Sequence, residues 1–145
     1  MLRIMESAET DLPELFLRAA KRIRRNQVAR LAPLGLTPAQ ARALRIVGHQ
    51  QEPLRMTALA DRLGIVPRSA TTVVDALAGA GLVTRAPDPD NRRATLVTPT
   101  EAGRAALARM SDARREAAEE LFATLSAEQR ETLRDLLATL DSAAC

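Results

Sequence analysis

The segment from Met56 to Asp75 constrains the fold of this chain most, because its spacing fits two short helices joined by a tight turn. A tight helix-turn-helix needs a small residue where the helices touch, a glycine near the turn and apolar residues facing a shared core. Ala60 is the small residue, and Gly64, four positions later, can end the first helix with a positive φ. The spacing predicts helices over about 57–63 and 67–79. The predicted core positions are Leu59, Leu63, Ile65, Ala70, Val73 and Leu77.

The second of these helices has an outer face of polar and basic residues. Pro67 suits its first position, because the missing N–H of proline would have no partner there. Arg, Ser and Thr side chains in the first turn of such a helix can reach base edges in the major groove of DNA. A helical hairpin with a solvated polar face has the same pattern, so this segment alone leaves both interpretations open. The residues on the outer face are Arg68, Ser69, Thr71, Thr72 and Asp75.

A β-hairpin is predicted directly after the helix pair. The strands are Leu82–Ala86 and Ala94–Thr98, and a turn-rich loop over 87–93 joins them. The loop carries Arg92 and Arg93. Arginine on a thin loop can enter a narrow minor groove, where the negative potential is strongest. A helix-turn-helix followed by such a hairpin predicts a winged helix.

The aspartates of the loop allow a second interpretation. Asp88 and Asp90 can pair with the neighbouring arginines in a plain surface turn, and both interpretations hold together if one arginine stays free. A calcium loop is not predicted, because Asp-Pro-Asp-Asn lacks the later glycine and the bidentate glutamate. We predict no metal site and no cofactor.

Amphipathic helices are predicted on both sides of this segment. One runs from Thr10 to Leu31, and a second begins at the capping box Thr37-Pro38-Ala39-Gln40 and runs to about Gly48. After the hairpin, Thr100 caps a long helix over about 101–124, and a capping box at 126–129 begins the last helix. The apolar stripes of the first and last helices contain Leu12, Leu15, Phe16 and Ala19, and Leu133, Leu136, Leu137 and Leu140.

These two stripes predict a homodimer. A single amphipathic helix cannot bury its own stripe, and packing against the same helices of a second copy makes an isologous interface. The alternative to a dimer is that both helices cover the core of their own chain. Two-fold symmetry predicts DNA half-sites about 34 Å apart.

Composition excludes several classes of protein. The chain has 145 residues, one histidine, no tyrosine or tryptophan and one cysteine at its last position, so the usual nucleophile–base pairs of an enzyme cannot be assembled. Two phenylalanines are the only aromatic residues, which argues against base stacking as the way nucleic acid is held.

The net charge is positive over residues 1–99 and negative over 100–145, which suggests that one end meets a polyanion. No apolar segment suits a membrane span or a signal peptide, so we expect a cytoplasmic protein.

The stretch RMTALADRLGIVPRSATTVVDALAGAGLVTRAPDPDNRRATLVTPTEAG resembles the core of MarR-type winged-helix regulators. Its most specific part is DPDNRR followed by LVTPTEAG, and the resemblance extends over nearly the whole chain. It implies a mainly α fold with a small β-hairpin (α+β): one MarR-like domain over 1–145. Dimerisation helices would span 10–32 and 101–142, and the DNA-binding lobe 37–99.

The resemblance also implies a function. A homodimer would bind a palindromic operator as a transcriptional repressor, and a small aromatic or phenolic effector, to which no residue is assigned, would release it. Arg68, Ser69, Thr71 and Thr72 match recognition-helix positions, and Arg93, with Arg92 beside it, matches the wing arginine. Asn91 stands where the family usually has Asp, so the wing geometry is expected to depend on Asp90 or Asp88 instead. A sequence-tolerant architectural DNA-binding protein is the alternative.

Two further residues, His49 and Cys145, bear on sensing. Oxidant sensing through the first helix and zinc sensing are not predicted, because that helix has no cysteine and His49 is the only histidine. His49 is interpreted as a helix-capping or partly buried histidine. The terminal Cys145 could form a disulfide between subunits, but a terminal thiol is more often inert.

Overall fold

A computed structural model describes residues 11–144. It has six α-helices, a single 3-10 turn and three short strands in this range. The helices are α1 (Leu12–Leu31), α2 (Pro38–Gly48), α3 (Met56–Leu63), α4 (Pro67–Gly79), α5 (Glu101–Phe122) and α6 (Ala127–Ala143). The strands are β1 (Leu54–Arg55), β2 (Val83–Asp88) and β3 (Asn91–Pro99), and the 3-10 turn is Ala32–Leu34. This is the predicted mainly α winged helix.

The described chain forms two compact units. The first contains residues 11–30 and 113–144, and the second contains Leu31–Asp112. The second unit therefore holds the helix-turn-helix, the sheet and the first half of α5, whereas the first unit holds most of α1, the second half of α5 and all of α6.

Local sequence signals begin and end the helices where they were predicted. At α2, Thr37 Oγ1 accepts from the Gln40 amide at 3.1 Å, and Gln40 Oε1 accepts from the Thr37 amide at 3.2 Å. Gly64 ends α3 with a φ of +69°, a conformation that glycine adopts without steric cost. At the start of α5, Thr100 Oγ1 accepts from the Gly103 amide at 3.0 Å and donates to Gly81 O at 2.6 Å. The caps predicted at these helix ends are confirmed.

The core of the second unit lies where the helix-turn-helix packs against the sheet and α5. Of the predicted core positions, Leu59, Leu63, Ala70 and Leu77 are buried, whereas Ile65 and Val73 are only partly buried. Val74, which was not predicted, is fully buried. The largest fully buried side chains are Leu44, Val47, Leu59, Val74, Leu77 and Val97.

The sheet departs from the sequence prediction in two ways. It has three antiparallel strands in the order β1-β3-β2, because the two-residue strand β1 pairs with β3 through Leu54 and Val97. Two residues are too few to show an alternating pattern, so the sequence does not predict β1. The strands of the hairpin also run further than predicted, and the loop expected over 87–93 is reduced to a turn at Pro89 and Asp90. A register shift after Pro87 places Asp88 opposite Asn91.

Candidate nucleic-acid interface

The predicted recognition residues lie on the exposed side of α4. Arg68, Ser69, Thr71 and Thr72 are all exposed, as predicted. Both threonine hydroxyls donate to carbonyl oxygens one turn earlier: Thr71 Oγ1 to Pro67 O at 3.0 Å and Thr72 Oγ1 to Arg68 O at 3.3 Å. These bonds use the hydroxyl hydrogens, so each threonine offers a methyl group and an acceptor oxygen to solvent.

The opposite side of α4 is buried, which fixes which side chains face outward. Ala70, Val74 and Leu77 lie in the core with no exposed surface. The amides of Ser69 and Ala70 donate to Val66 O at 3.0 and 3.2 Å, so the first turn is regular. Because the buried stripe prevents rotation of α4 about its axis, the first-turn side chains have a defined direction.

The turn before α4 is held by a residue that the sequence did not indicate. Arg42, on α2, donates from Nη1 to Leu63 O at 3.3 Å and from Nη2 to Arg62 O at 3.2 Å. These carbonyls belong to the last turn of α3, where carbonyl groups lack helical partners. An arginine on a helix of ordinary composition gives no sign of this role, since it depends on how α2 packs against α3.

The wing is anchored by one buried carboxylate. Asp88 is 5% exposed and is the only charged residue buried in the part of the chain that the structure describes. Its Oδ2 accepts from Arg55 Nε at 2.8 Å and lies 2.8 Å from Arg55 Nη2, while its Oδ1 accepts from the Asp90 amide at 2.9 Å. The interpretation in which Asp88 pairs with the arginines of its own loop is therefore wrong, because its partner lies on β1.

Two arginines at the wing are available for a ligand. Arg92 and Arg93 are exposed, and within residues 11–144 neither side chain has an ion-pair or hydrogen-bond partner. The Arg93 amide donates to Asn91 Oδ1 at 3.1 Å, so Asn91 orders the backbone with its amide oxygen.

Helix α4 and the hairpin are joined by an ion pair. Arg85 Nη1 of β2 donates to Asp75 Oδ1 of α4, and both side chains are partly exposed. Asp75 lies on the outer face of α4, where the sequence analysis placed it, and its carboxylate is paired with Arg85.

The first unit exposes two apolar faces. Neither α1 nor α6 has a buried residue. Of the residues predicted for a dimer interface, Leu12, Phe16, Leu136 and Leu140 are each more than half exposed, Leu15 and Leu137 are exposed to a lesser degree, and Ala19 and Leu133 are half-buried.

A cavity of about 350 Å³ adjoins the face of α6. Its apolar lining comes from Ala118 and Phe122 of α5 and from Leu133 and Leu137 of α6. Arg115, Glu119, Arg130 and Arg134 complete the lining. The cavity continues the apolar stripe of α6 onto α5.

The remaining sequence predictions concern single residues. His49 is exposed and is the C-cap of α2, and its amide donates to Arg45 O at 3.1 Å. Cys145 and Thr10 lie outside the described residues. Within residues 11–144, no group of three or more His, Cys, Asp or Glu side chains could hold a metal ion. No helix in this range combines the length and apolarity of a membrane span.

Comparison with known proteins finds a family model and solved structures that match this chain. A model of the MarR family matches residues 36–95. The MarR family protein Rv2887 of Mycobacterium tuberculosis, solved in complex with p-aminosalicylic acid, is 30% identical; the match covers 91% of this chain and 99% of that one, with a TM-score of 0.63. The chain belongs to the MarR family.

Two other solved structures have the same fold. The transcriptional regulator Tm0710 of Thermotoga maritima is 25% identical, with 90% and 92% of the two chains covered and a TM-score of 0.78. A mutant of S. aureus MepR bound to an oligodeoxyribonucleotide is 20% identical, with 93% and 99% covered and a TM-score of 0.77. A comparison with curated protein sequences found no match. Family membership makes the chain a transcriptional regulator rather than an enzyme, in agreement with the sequence prediction.

Proposed function

We propose that this MarR-family regulator acts as a homodimer that binds a palindromic operator and represses transcription from it. The first turn of α4 lies in the major groove, where Arg68, Ser69, Thr71 and Thr72 contact base edges and phosphates. Arg93, with Arg92 beside it, enters the adjacent minor groove. The observation that carries the proposal is the exposed, polar first turn of α4, whose opposite face is locked into the core.

The side chains present suit these roles. Arginine recognises guanine through two parallel hydrogen bonds, and threonine can contact the methyl group of thymine. Arg92 and Arg93 carry no ion-pair partner among the described residues, so DNA binding breaks no internal ion pair of theirs. Arginines that neutralise DNA phosphates release counterions from the DNA, so the affinity depends on the salt concentration.

The exposed faces of α1 and α6 support the homodimer. Leu12, Phe16, Leu136 and Leu140 are large apolar side chains in water, and exposed patches of this kind mark interaction surfaces. The cavity beside Phe122 and Leu133 extends the same surface. A partner that presents identical helices covers both faces with a single two-fold contact. The dimer then carries two copies of α4, and its symmetry requires a palindromic site.

Release by an effector is the remaining part of the proposal. The relative Rv2887 was solved with p-aminosalicylic acid, a small aromatic acid. We expect a compound of this class to bind the present dimer and to change its affinity for the operator. A dimer seated on an operator that overlaps a promoter represses by excluding the polymerase, and effector binding relieves the exclusion.

Selection of DNA from a random library by the purified protein tests the proposal. We expect one palindrome to be enriched, and its affinity in gel-shift titrations to fall when bases are inserted between the half-sites. Binding that depends only on DNA length and salt would instead support the architectural alternative. Enrichment of a site without two-fold symmetry would contradict the dimeric arrangement.

The effector is tested on the selected operator. Titration with p-aminosalicylic acid is expected to release the DNA, and benzoic acid without ring substituents serves as a comparison. In transcription from a promoter that contains the operator, the protein should lower transcript yield and the effector should restore it. A rise in transcript on adding the protein alone would show activation and contradict repression.

A further inference from the structure

We propose that Arg55 is a positioning residue for the DNA-binding wing, acting through the buried carboxylate of Asp88. The inference rests on the proposed contact between Arg93 and DNA. Arg55 lies outside the hairpin, on the short strand β1, and no sequence signal connects it to the wing. Its ion pair with Asp88 extends from one edge of the sheet to the other.

The two carboxylate oxygens of Asp88 accept hydrogen bonds from two different parts of the protein. Oδ2 accepts from Arg55 Nε at 2.8 Å and has Arg55 Nη2 at the same distance, and Oδ1 accepts from the Asp90 amide at 2.9 Å. The side chain of Asp88 is 7% exposed, whereas that of Arg55 is 49% exposed. Hydrogen bonds to a buried charge are stronger than bonds in water, and leaving such a charge unpaired is costly. Arg55 therefore determines whether the carboxylate can stay buried and hold the turn.

The same arginine also connects the wing to the helix-turn-helix. Arg55 pairs with Leu96 of β3 and is the N-cap residue of α3, so its backbone belongs to both the sheet and the first helix of the motif. Its side chain reaches Asp88, which lies at the end of β2 on the other side of β3. The ion pair thus joins the two outer strands across the central one, next to the turn that leads to Arg92 and Arg93.

The need for this link follows from the sequence of the turn. Asn91 supplies an uncharged acceptor for the Arg93 amide at 3.1 Å, where the resemblance implied an aspartate. The only carboxylate buried in the described residues is that of Asp88, three positions earlier. The fixed charge that orders the wing therefore comes from Asp88, and its counterion comes from β1.

Four variants and a control test the proposal. Arg55→Met removes the donors but keeps the length of the side chain. Asp88→Asn removes the charge but keeps an oxygen for the Asp90 amide. Arg93→Ala removes the proposed DNA contact, and the fourth variant combines Arg55→Met with Arg93→Ala. The control is Arg104→Met, since Arg104 is an exposed arginine on α5, in the same unit as the wing but on a different element.

The first readout uses the free protein, so it does not depend on DNA. We expect hydrogen exchange at the Asp90 and Arg93 amides to be about tenfold faster in Arg55→Met and Asp88→Asn, because the turn opens locally. Exchange at the buried residues of α4 is expected to stay unchanged in both variants, and exchange at Asp90 and Arg93 is expected to stay unchanged in Arg104→Met. Unchanged exchange at Asp90 in both variants would overturn the positioning role, whatever the DNA measurements show.

The second readout is affinity for the selected operator at several salt concentrations. Arg93→Ala and Arg55→Met are each expected to weaken binding about tenfold and to lower the salt slope by about 1. The double variant should bind no more weakly than Arg93→Ala, because Arg55 acts only through the wing. Additive losses, or full affinity in Asp88→Asn together with weakened binding in Arg55→Met, would show that Arg55 does not act through Asp88 and the wing, and would overturn the proposal.

The two readouts separate this inference from the proposed function. If Arg93→Ala binds like the wild-type protein while exchange at Asp90 still accelerates in Arg55→Met, the proposed wing contact with DNA is wrong. The positioning role for DNA binding is then overturned with it, although the Arg55–Asp88 link orders the turn. If the wing contact is confirmed and exchange does not respond, only the role of Arg55 is wrong.

Discussion

Close contact between backbone segments explains the glycine at the end of the LVTPTEAG stretch, to which the sequence alone assigns no role. At Gly103, near the start of α5, a Cβ atom would lie 2.0 Å from the carbonyl oxygen of Leu82. That oxygen also accepts the Thr100 amide at 3.0 Å, so it is held in place. Leu82 lies where the chain leaves the helix-turn-helix and enters the sheet, so this junction depends on the close approach of Gly103 to the Leu82 carbonyl.

We therefore predict that Gly103→Ala lowers the free energy of unfolding by about 1–3 kcal/mol, since the backbone must move to admit the methyl group. Gly79→Ala is the matched control, because Gly79 is also helical and a Cβ there meets nothing within 4 Å. That substitution should be neutral or stabilise the protein by up to about 1 kcal/mol. Urea titration followed by circular dichroism measures both, and equal effects would contradict the steric explanation.

Arg68 determines base preference in the proposed complex. Its side chain is exposed at the first turn of α4, one residue after Pro67 begins the helix. We predict that Arg68→Ala costs about 1–3 kcal/mol of binding free energy on the selected operator and relaxes the preference at one position. Gel-shift titrations on the operator and on single-base variants test this. An equal loss on all sequences would assign Arg68 to phosphate instead.

Among the secondary-structure elements, α6 best shows how a local signal sets a boundary. Ser126 Oγ accepts from the Gln129 amide at 3.1 Å, and Gln129 Oε1 accepts from the Ser126 amide at 2.9 Å. This capping box begins a helix that has no buried residue in a single chain. The position at which α6 begins is thus specified largely by the residues of its own first turn.

Ser126→Ala is predicted to destabilise the protein by about 1 kcal/mol, because the Gln129 amide at the start of α6 loses its side-chain acceptor. Thr139→Ala in the same helix is the control. The Thr139 hydroxyl bonds only to Asp135 O, one turn earlier, and alanine is the better helix former. Thermal unfolding of both variants gives the comparison, and a loss in Thr139→Ala as large as that in Ser126→Ala would contradict the capping role.

For the whole molecule, the exposed apolar faces of α1 and α6 decide the predicted assembly. Leu136 and Leu140 are 60% and 64% exposed in the single chain. A helix places these two positions on the same side, one turn apart. Burial of a leucine side chain contributes about 1.5–3 kcal/mol, so a symmetric contact through such residues stabilises a dimer.

We predict that Leu136→Glu with Leu140→Glu yields monomers in light scattering and weakens operator binding about 100-fold or more, because the two half-sites are no longer bound together. The control is Ala138→Glu with Ser142→Glu. These positions are also exposed, and helix geometry places them on the opposite side of α6. The control should remain dimeric. A dimer that persists in the leucine variant would show that the interface lies elsewhere.

Much of the fold could be predicted because its signals are local. The capping boxes at Thr37 and Ser126, the glycine that ends α3 and the proline that begins α4 each act within a few residues, and the structure has each of them in place. Helical periodicity likewise predicts which residues of α4 are exposed, because burial of one face leaves the other in solvent.

The sequence by itself therefore determined the order of helices, the helix-turn-helix and the side of α4 that faces solvent. Tertiary structure alone decided the strand β1, the pairing of Arg55 with Asp88 and the contact of Arg42 with the end of α3. Arg55 and Asp88 are 33 residues apart, and Arg42 and Leu63 are 21 apart. Ion pairs and hydrogen bonds of this kind have no period along the chain, because their partners are chosen by packing rather than by spacing.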